Sequence, residues 1–174
     1  MKNAVIKYGL ISGAISAALL FFVSMVFYKR YDFSHGFLIG YSCMLLSFFV
    51  IYFGMANYRD HVGGGQINYW RALSIGLLIT VISCICYSLA WIIISNTMLP
   101  DFMDKCCAYM VDEARQGGAS AAKIDAKIAE TNNMKELLKN PVMAFLMYSI
   151  EPTPVGIIVS VVCAFLVRLK KRVV

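Results

Sequence analysis

The sequence predicts an all-α integral membrane protein: a bundle of four transmembrane helices with an extramembrane helical hairpin between helices three and four. Three observations carry this. Apolar residues make up 60% of the 174 residues and charged residues 15%, with a mean hydropathy of +0.69, whereas soluble domains are roughly half apolar. Long charge-free runs are bounded by basic and aromatic residues, as at membrane boundaries. Between residues 100 and 140 the character reverses, with seven acidic and six basic residues interspersed. Residues 1–174 read as one membrane domain, with spans at about 8–27, 36–55, 72–97 and 152–168.

The first run, Tyr8 to Phe27, carries no charge and lies between Lys7 and the Lys29-Arg30 pair. Lys2 and Lys7 resemble the basic start of a signal peptide. The run is longer than the roughly 7–15 residues of such a peptide, and no small-x-small cleavage site precedes Lys29, so it is expected to remain as a span. Gly9, Gly13 and Ala17 recur every four residues, which lets another helix backbone approach. A short aromatic and charged connector leads to the second run, Gly36 to Met55, where Gly36 and Gly40 repeat that spacing.

Gly63-Gly64-Gly65 then marks a turn at the membrane surface, followed by Tyr69, Trp70 and Arg71, residue types favoured at that boundary. In the third span Gly76, Thr80, Cys84 and Ser88 form a narrow small face. The hydroxyls of Thr80, Ser83 and Ser88 are expected to bond carbonyls of their own helix, four residues back.

Pro100 to Asn140 reads as two helices divided by Gly117-Gly118. The first carries Phe102, Cys106, Tyr109 and Met110 at helical spacing. The second starts from Ser120 as N-cap and aligns Ile124, Ile128, Thr131, Met134 and Leu138. The stretch 142–150 is too short to cross and is expected to be interfacial or partly inserted. Glu151-Pro152-Thr153-Pro154 interrupts before the fourth span, whose Gly156, Ser160 and Ala164 give another small stripe.

Placing both termini in the cytoplasm gives it Lys2, Lys7, Arg59, Arg71, Arg168, Lys170, Lys171 and Arg172, against Lys29 and Arg30 in the short outer loop. The positive-inside rule favours this orientation. The same distribution explains the net charge of +6 without nucleic acid as a partner, because the cations sit at span ends and form no soluble basic face. The expected partners are the lipid bilayer and another membrane protein or a second copy of the chain.

Candidate chemistry is sparse. Cys43, Cys84, Cys86 and Cys163 fall inside apolar runs and read as packing residues. Cys106 and Cys107 would lie on the oxidising side, but a vicinal pair is a strained disulfide geometry and no Cys-x-x-Cys is present. Glu151 is the candidate for transport, since an ionisable residue within a membrane is functional by default. Near a span end it reads more simply as a carboxylate at a helix start, facing the positive end of the dipole. His35 and His61 fall on opposite faces and cannot share a metal. The triple glycine lacks the Lys-Ser/Thr of a phosphate loop. No cofactor, metal or catalytic residue is called for.

The run Gly63-Gly64-Gly65-Gln66-Ile67-Asn68-Tyr69-Trp70-Arg71-Ala72, followed by Gly76 and then by Leu99-Pro100-Asp101-Phe102, resembles a family of small bacterial membrane proteins catalogued as domain of unknown function 4199. The resemblance covers most of the chain. It implies four membrane helices in a bacterial inner membrane and supplies no reaction. The expected function is therefore a non-enzymatic structural or accessory membrane component, ahead of a small transporter using Glu151 and a thiol oxidoreductase using Cys106 and Cys107.

Overall fold

A 29-residue helix near the middle of the chain is the element on which the others pack. In chain order the computed structural model has α1 (Lys2–Tyr28), α2 (Phe33–Phe48), α3 (Val50–His61), α4 (Tyr69–Thr97), α5 (Phe102–Gln116), α6 (Ala121–Leu138), α7 (Pro141–Ile150) and α8 (Pro152–Leu169). The residues described are 1–28 and 33–169, the side chains of 27, 28 and 33–37 excepted. Lys29, Arg30, Asp32, Lys170, Lys171 and Arg172, with the side-chain surroundings of His35 and Gly36, lie outside them. The described residues contain no strand.

Four stretches are long and apolar enough to span a membrane: Lys2–Val26, Leu38–His61, Tyr69–Thr97 and Pro141–Leu169. With no water in hydrocarbon to satisfy peptide groups, helices supply every backbone bond internally. Two of these spans join two helices each. Between α2 and α3 the backbone at Phe49 stays helical (φ −58°, ψ −24°), and so it does at Glu151 between α7 and α8 (φ −62°, ψ −55°). Pro152 opens α8, where a first-turn residue needs no N–H donor. The short apolar segment expected to be interfacial or partly inserted is thus nearly continuous with the fourth span, and Glu151, one residue before α8, lies inside the 29-residue apolar stretch that joins the two.

Helix α4 packs against α1, α3, α7 and α8, while the α2–α3 helix also reaches both α1 and α8. The core where they meet is made of Phe48, Ile51, Met55, Ala72, Ile75, Ile79, Ala164 and Val167, all at most 2% exposed. Outward, Leu78, Val81, Ile85, Leu89 and Ile93 form an exposed stripe along α4, and α8 exposes Ile158, Val162 and Phe165. An apolar exterior of this extent suits a lipid surround.

At one end of the bundle the chain turns through the three glycines. Gly64 and Gly65 have φ of +61° and +84°, a region that L side chains enter only with strain. Gly63 is needed for room, because a Cβ there would run into the Gln66 carbonyl oxygen. The Gly63 and Gly65 amides donate to the carbonyls of Tyr58 and Arg59, closing α3, and Asn68 caps α4 by accepting from the Trp70 amide at 3.3 Å.

At the other end α5 and α6 follow, joined at Gly117-Gly118, with Gly118 at φ +72°. They touch through the Lys135–Asp104 ion pair (2.7 Å) and through Cys107, whose Sγ lies 3.9 Å from the Thr131 carbonyl. The fully buried positions of α5 are Cys107 and Val111, and the expected stripe of Phe102, Cys106, Tyr109 and Met110 is partly buried beside them. Thr131 is the buried centre of the α6 stripe. Ser120 has the extended backbone of an N-cap, but its side chain makes no capping bond.

Candidate functional site

The polar side chains of α4 converge on its neighbours and form a seam through the apolar bundle. Thr80 Oγ1 donates to the Gly156 carbonyl of α8 at 3.3 Å and lies 3.1 Å from Ser160 Oγ. Ser83 Oγ donates to the Gly9 carbonyl of α1 at 3.4 Å, and Ser88 Oγ lies 2.8 Å from Ser149 Oγ of α7. The expectation that these three hydroxyls serve carbonyls of their own helix is therefore corrected. They bridge helices, because glycine and serine on the facing helices leave room for backbone carbonyls to come within reach. Ser12 Oγ of α1 does the same toward the Ser47 carbonyl of α2 at 2.9 Å. Among the described residues no buried side-chain nitrogen or oxygen lacks a partner.

Along this seam the Tyr87 hydroxyl donates to Glu151 Oε2 at 3.2 Å. Tyr87 is buried and lies four residues beyond Ser83, the midpoint of α4, about 6 Å at helical rise. Glu151 is half-buried beside it. Two residues on, Thr153 Oγ1 donates to the Ser149 carbonyl at 2.6 Å and lies 3.8 Å from Cys84 Sγ. Helix α4 supplies the polar partner of the carboxyl group. Tyr87 was legible as a tyrosine in a membrane span, but nothing local ties it to a residue 64 positions away.

The two vicinal cysteines point to different surroundings. Cys107 is buried against α6, whereas Cys106 is half-buried. Burial pushes both thiols above their ordinary range. At Cys106 the neighbouring Cys107 and Glu151 add to the rise; at Cys107 Lys135 and Lys127 oppose it while Asp104 adds. All six cysteines are free. A thiol raised by desolvation holds little thiolate at neutral pH, the opposite of an activated nucleophile. Above the seam, Trp91 packs edge-on against Phe102 (5.1 Å) and Tyr148 (5.9 Å), tying α5 and α7 to α4.

The packing glycines divide into three groups. A Cβ on Gly9 would meet Ile82 Cβ at 2.8 Å and one on Gly13 would meet Cys86 Cβ at 2.6 Å, so α1 receives side chains of α4. On the opposite side a Cβ on Gly76 would meet Met55 of α3 and Ser160 of α8, and one on Gly156 would strike Thr80. Gly40 has open space around its Cβ position, so its four-residue spacing brings no helix close there. Gly54, not singled out from sequence, receives Tyr8 and Ile79. His61 bonds within its own helix, its Nδ1 lying 3.1 Å from the Asn57 carbonyl.

At the glycine-turn end Arg59 is buried, 8% exposed. Its guanidinium pairs with Asp60 (Nε to Oδ1, 2.8 Å) and donates from Nη1 to the Val167 carbonyl at 3.2 Å, a cation on the negative end of α8. Expected only as an orientation signal, this residue also fastens α3 to α8.

Fold and seam together define an all-helical bundle with four stretches long and apolar enough to span a membrane, its polar groups directed at one another. The chain belongs to the family described as protein of unknown function DUF4199, whose model matches residues 7–169. No curated protein and no solved structure matches it.

Proposed function

We propose that this protein is a non-enzymatic structural or accessory component of the bacterial inner membrane. Both termini lie in the cytoplasm and the α5–α6 hairpin lies outside the bilayer on the opposite face. The observation that supports this most is the spending of polar groups. The hydroxyls of Thr80, Ser83 and Ser88 are each engaged by a facing helix, which leaves the bundle interior packed and its polar atoms occupied. A hairpin with paired charges, Lys135–Asp104 among them, offers a partner membrane protein a water-facing surface. Photocrosslinking from Asp112 of the hairpin and from Gln66 of the glycine turn, in native membranes, tests the role. Recovery of one discrete partner, or of a crosslinked dimer, is expected; crosslinks to lipid alone from both positions overturn it. Cysteine labelling of the hairpin from the cytoplasmic side alone overturns the orientation.

A second reading is favoured by the Tyr87–Glu151 bond within two long apolar helices. In it Glu151 is the ionisable group of a small transporter. Proton-coupled flux in reconstituted vesicles that is abolished by Glu151→Gln replaces the structural reading with this one. Thiol oxidoreduction through Cys106 and Cys107 ranks third, because burial opposes thiolate formation at both.

A further inference from the structure

The glycine-turn end of the bundle has a groove that the interhelical packing does not use. It is an open trough of about 510 Å³ lined by Val161, Val162, Phe165 and Leu166 of α8 together with Tyr69 and Arg168. The four apolar side chains are 41–54% exposed and cover a turn and a half of helix. Arg168 stands in the last turn of α8 and makes no hydrogen bond or ion pair with a described residue. A trough of hydrocarbon walls lined also by a tyrosine and by a guanidinium with no ion pair among the described residues matches one molecule available at every membrane surface: an acyl chain joined to an anionic phosphate.

We propose that this groove is a binding site for an anionic phospholipid. One acyl chain lies along Val161, Val162, Phe165 and Leu166, and the phosphate sits between Arg168 and the Tyr69 hydroxyl. Guanidinium presents two parallel N–H donors to a phosphate, which a lysine does not. The charge complementarity selects against zwitterionic lipids, whose own ammonium competes for the phosphate. The proposal requires the chain to be membrane-embedded but is independent of its role as structural component or transporter.

Trp70 supplies the reporter: it is 72% exposed and its ring centroid is 5.5 Å from that of Tyr69. Trp91, at the far end of α4, is removed as Trp91→Phe. The protein is reconstituted in mixtures of phosphatidylcholine with phosphatidylglycerol brominated on its acyl chains, or the converse, and quenching of Trp70 gives the relative affinity. Phosphatidylglycerol is expected to be preferred about fivefold, the worth of one arginine at such a surface. Arg168→Gln abolishes the preference and Arg168→Lys, which keeps the charge but not the fork, retains only part of it. Leu166→Trp in a tryptophan-free background fills the groove and lowers retention of phosphatidylglycerol in native mass spectrometry. Equal quenching by both lipids overturns the proposal, as does a preference lost with Arg71→Gln and untouched by Arg168→Gln. Competition by about 10 mM inorganic phosphate would identify a simple anion site and overturn the lipid assignment.

Discussion

The hydroxyl of Tyr87 on α4 donates to the carboxylate of Glu151 at the junction of α7 and α8, 3.2 Å away and 64 residues later in the chain. Tyr87→Phe removes the donor and is expected to destabilise the protein by about 0.5–1.5 kcal/mol, Glu151 being only half-buried. Glu151→Gln keeps an acceptor and costs less. A double-mutant cycle on thermal unfolding in detergent should return a coupling of about 0.6–1.7 kcal/mol. Strict additivity would show that the bond contributes nothing.

Helix approach at Gly156 and Gly76 leaves no room for a side chain. Gly156→Val is expected to cost about 1–3 kcal/mol by overpacking against Thr80. Gly40→Ala, with open space around it, should be neutral or slightly stabilising, since alanine favours helix. Equal effects at the two positions, measured by denaturation in the same detergent, would contradict this packing.

In the glycine turn, Gly64→Ala places an L residue at positive φ and should cost about 1 kcal/mol. Gly63→Ala should cost more, because the backbone itself must move away from the Gln66 carbonyl. The order of the two unfolding midpoints is the measurement; Gly64→Ala falling below Gly63→Ala would reverse it.

Arg59→Leu removes the donor to the Val167 carbonyl and the partner of Asp60. A loss of about 1–3 kcal/mol is expected. Lysine, with one ammonium in place of a fork, should recover part of it. Protease protection of the end of α8 is the direct readout, and unchanged protection in Arg59→Leu would show that the two helices hold together without the cap.

Thiol reactivity should follow pH in a defined direction. Burial raises Cys106 and Cys107 above the ordinary thiol value, so the folded state favours the protonated form. Their contribution to stability is fully present below the pKa of the unfolded thiol and is lost as pH rises through the higher folded value. Alkylation at about neutral pH should be slower than for a free thiol and accelerate as the pH is raised. Lys135→Gln removes a cation that opposes the rise at Cys107 and should slow its alkylation again. Faster alkylation in that variant, with the fold intact, would contradict the assignment.

The sequence by itself determined that the chain is helical and that four stretches are long and apolar enough to cross a membrane. It also located the glycine turn and the charged segment between spans three and four. These are properties of consecutive residues: an apolar run must satisfy its own peptide groups, and glycine at positive φ is a local requirement. Tertiary structure decided which side chains meet. Thr80, Ser83 and Ser88 turned from their own helix to others, Gly40 proved unpacked and Gly54 packed, Cys106 and Cys107 parted to different neighbours, and Glu151 found Tyr87. Each of these depends on the rotation and register of one helix against another. In a span that is apolar all round, composition does not mark an inner face, so only the packed bundle fixes them.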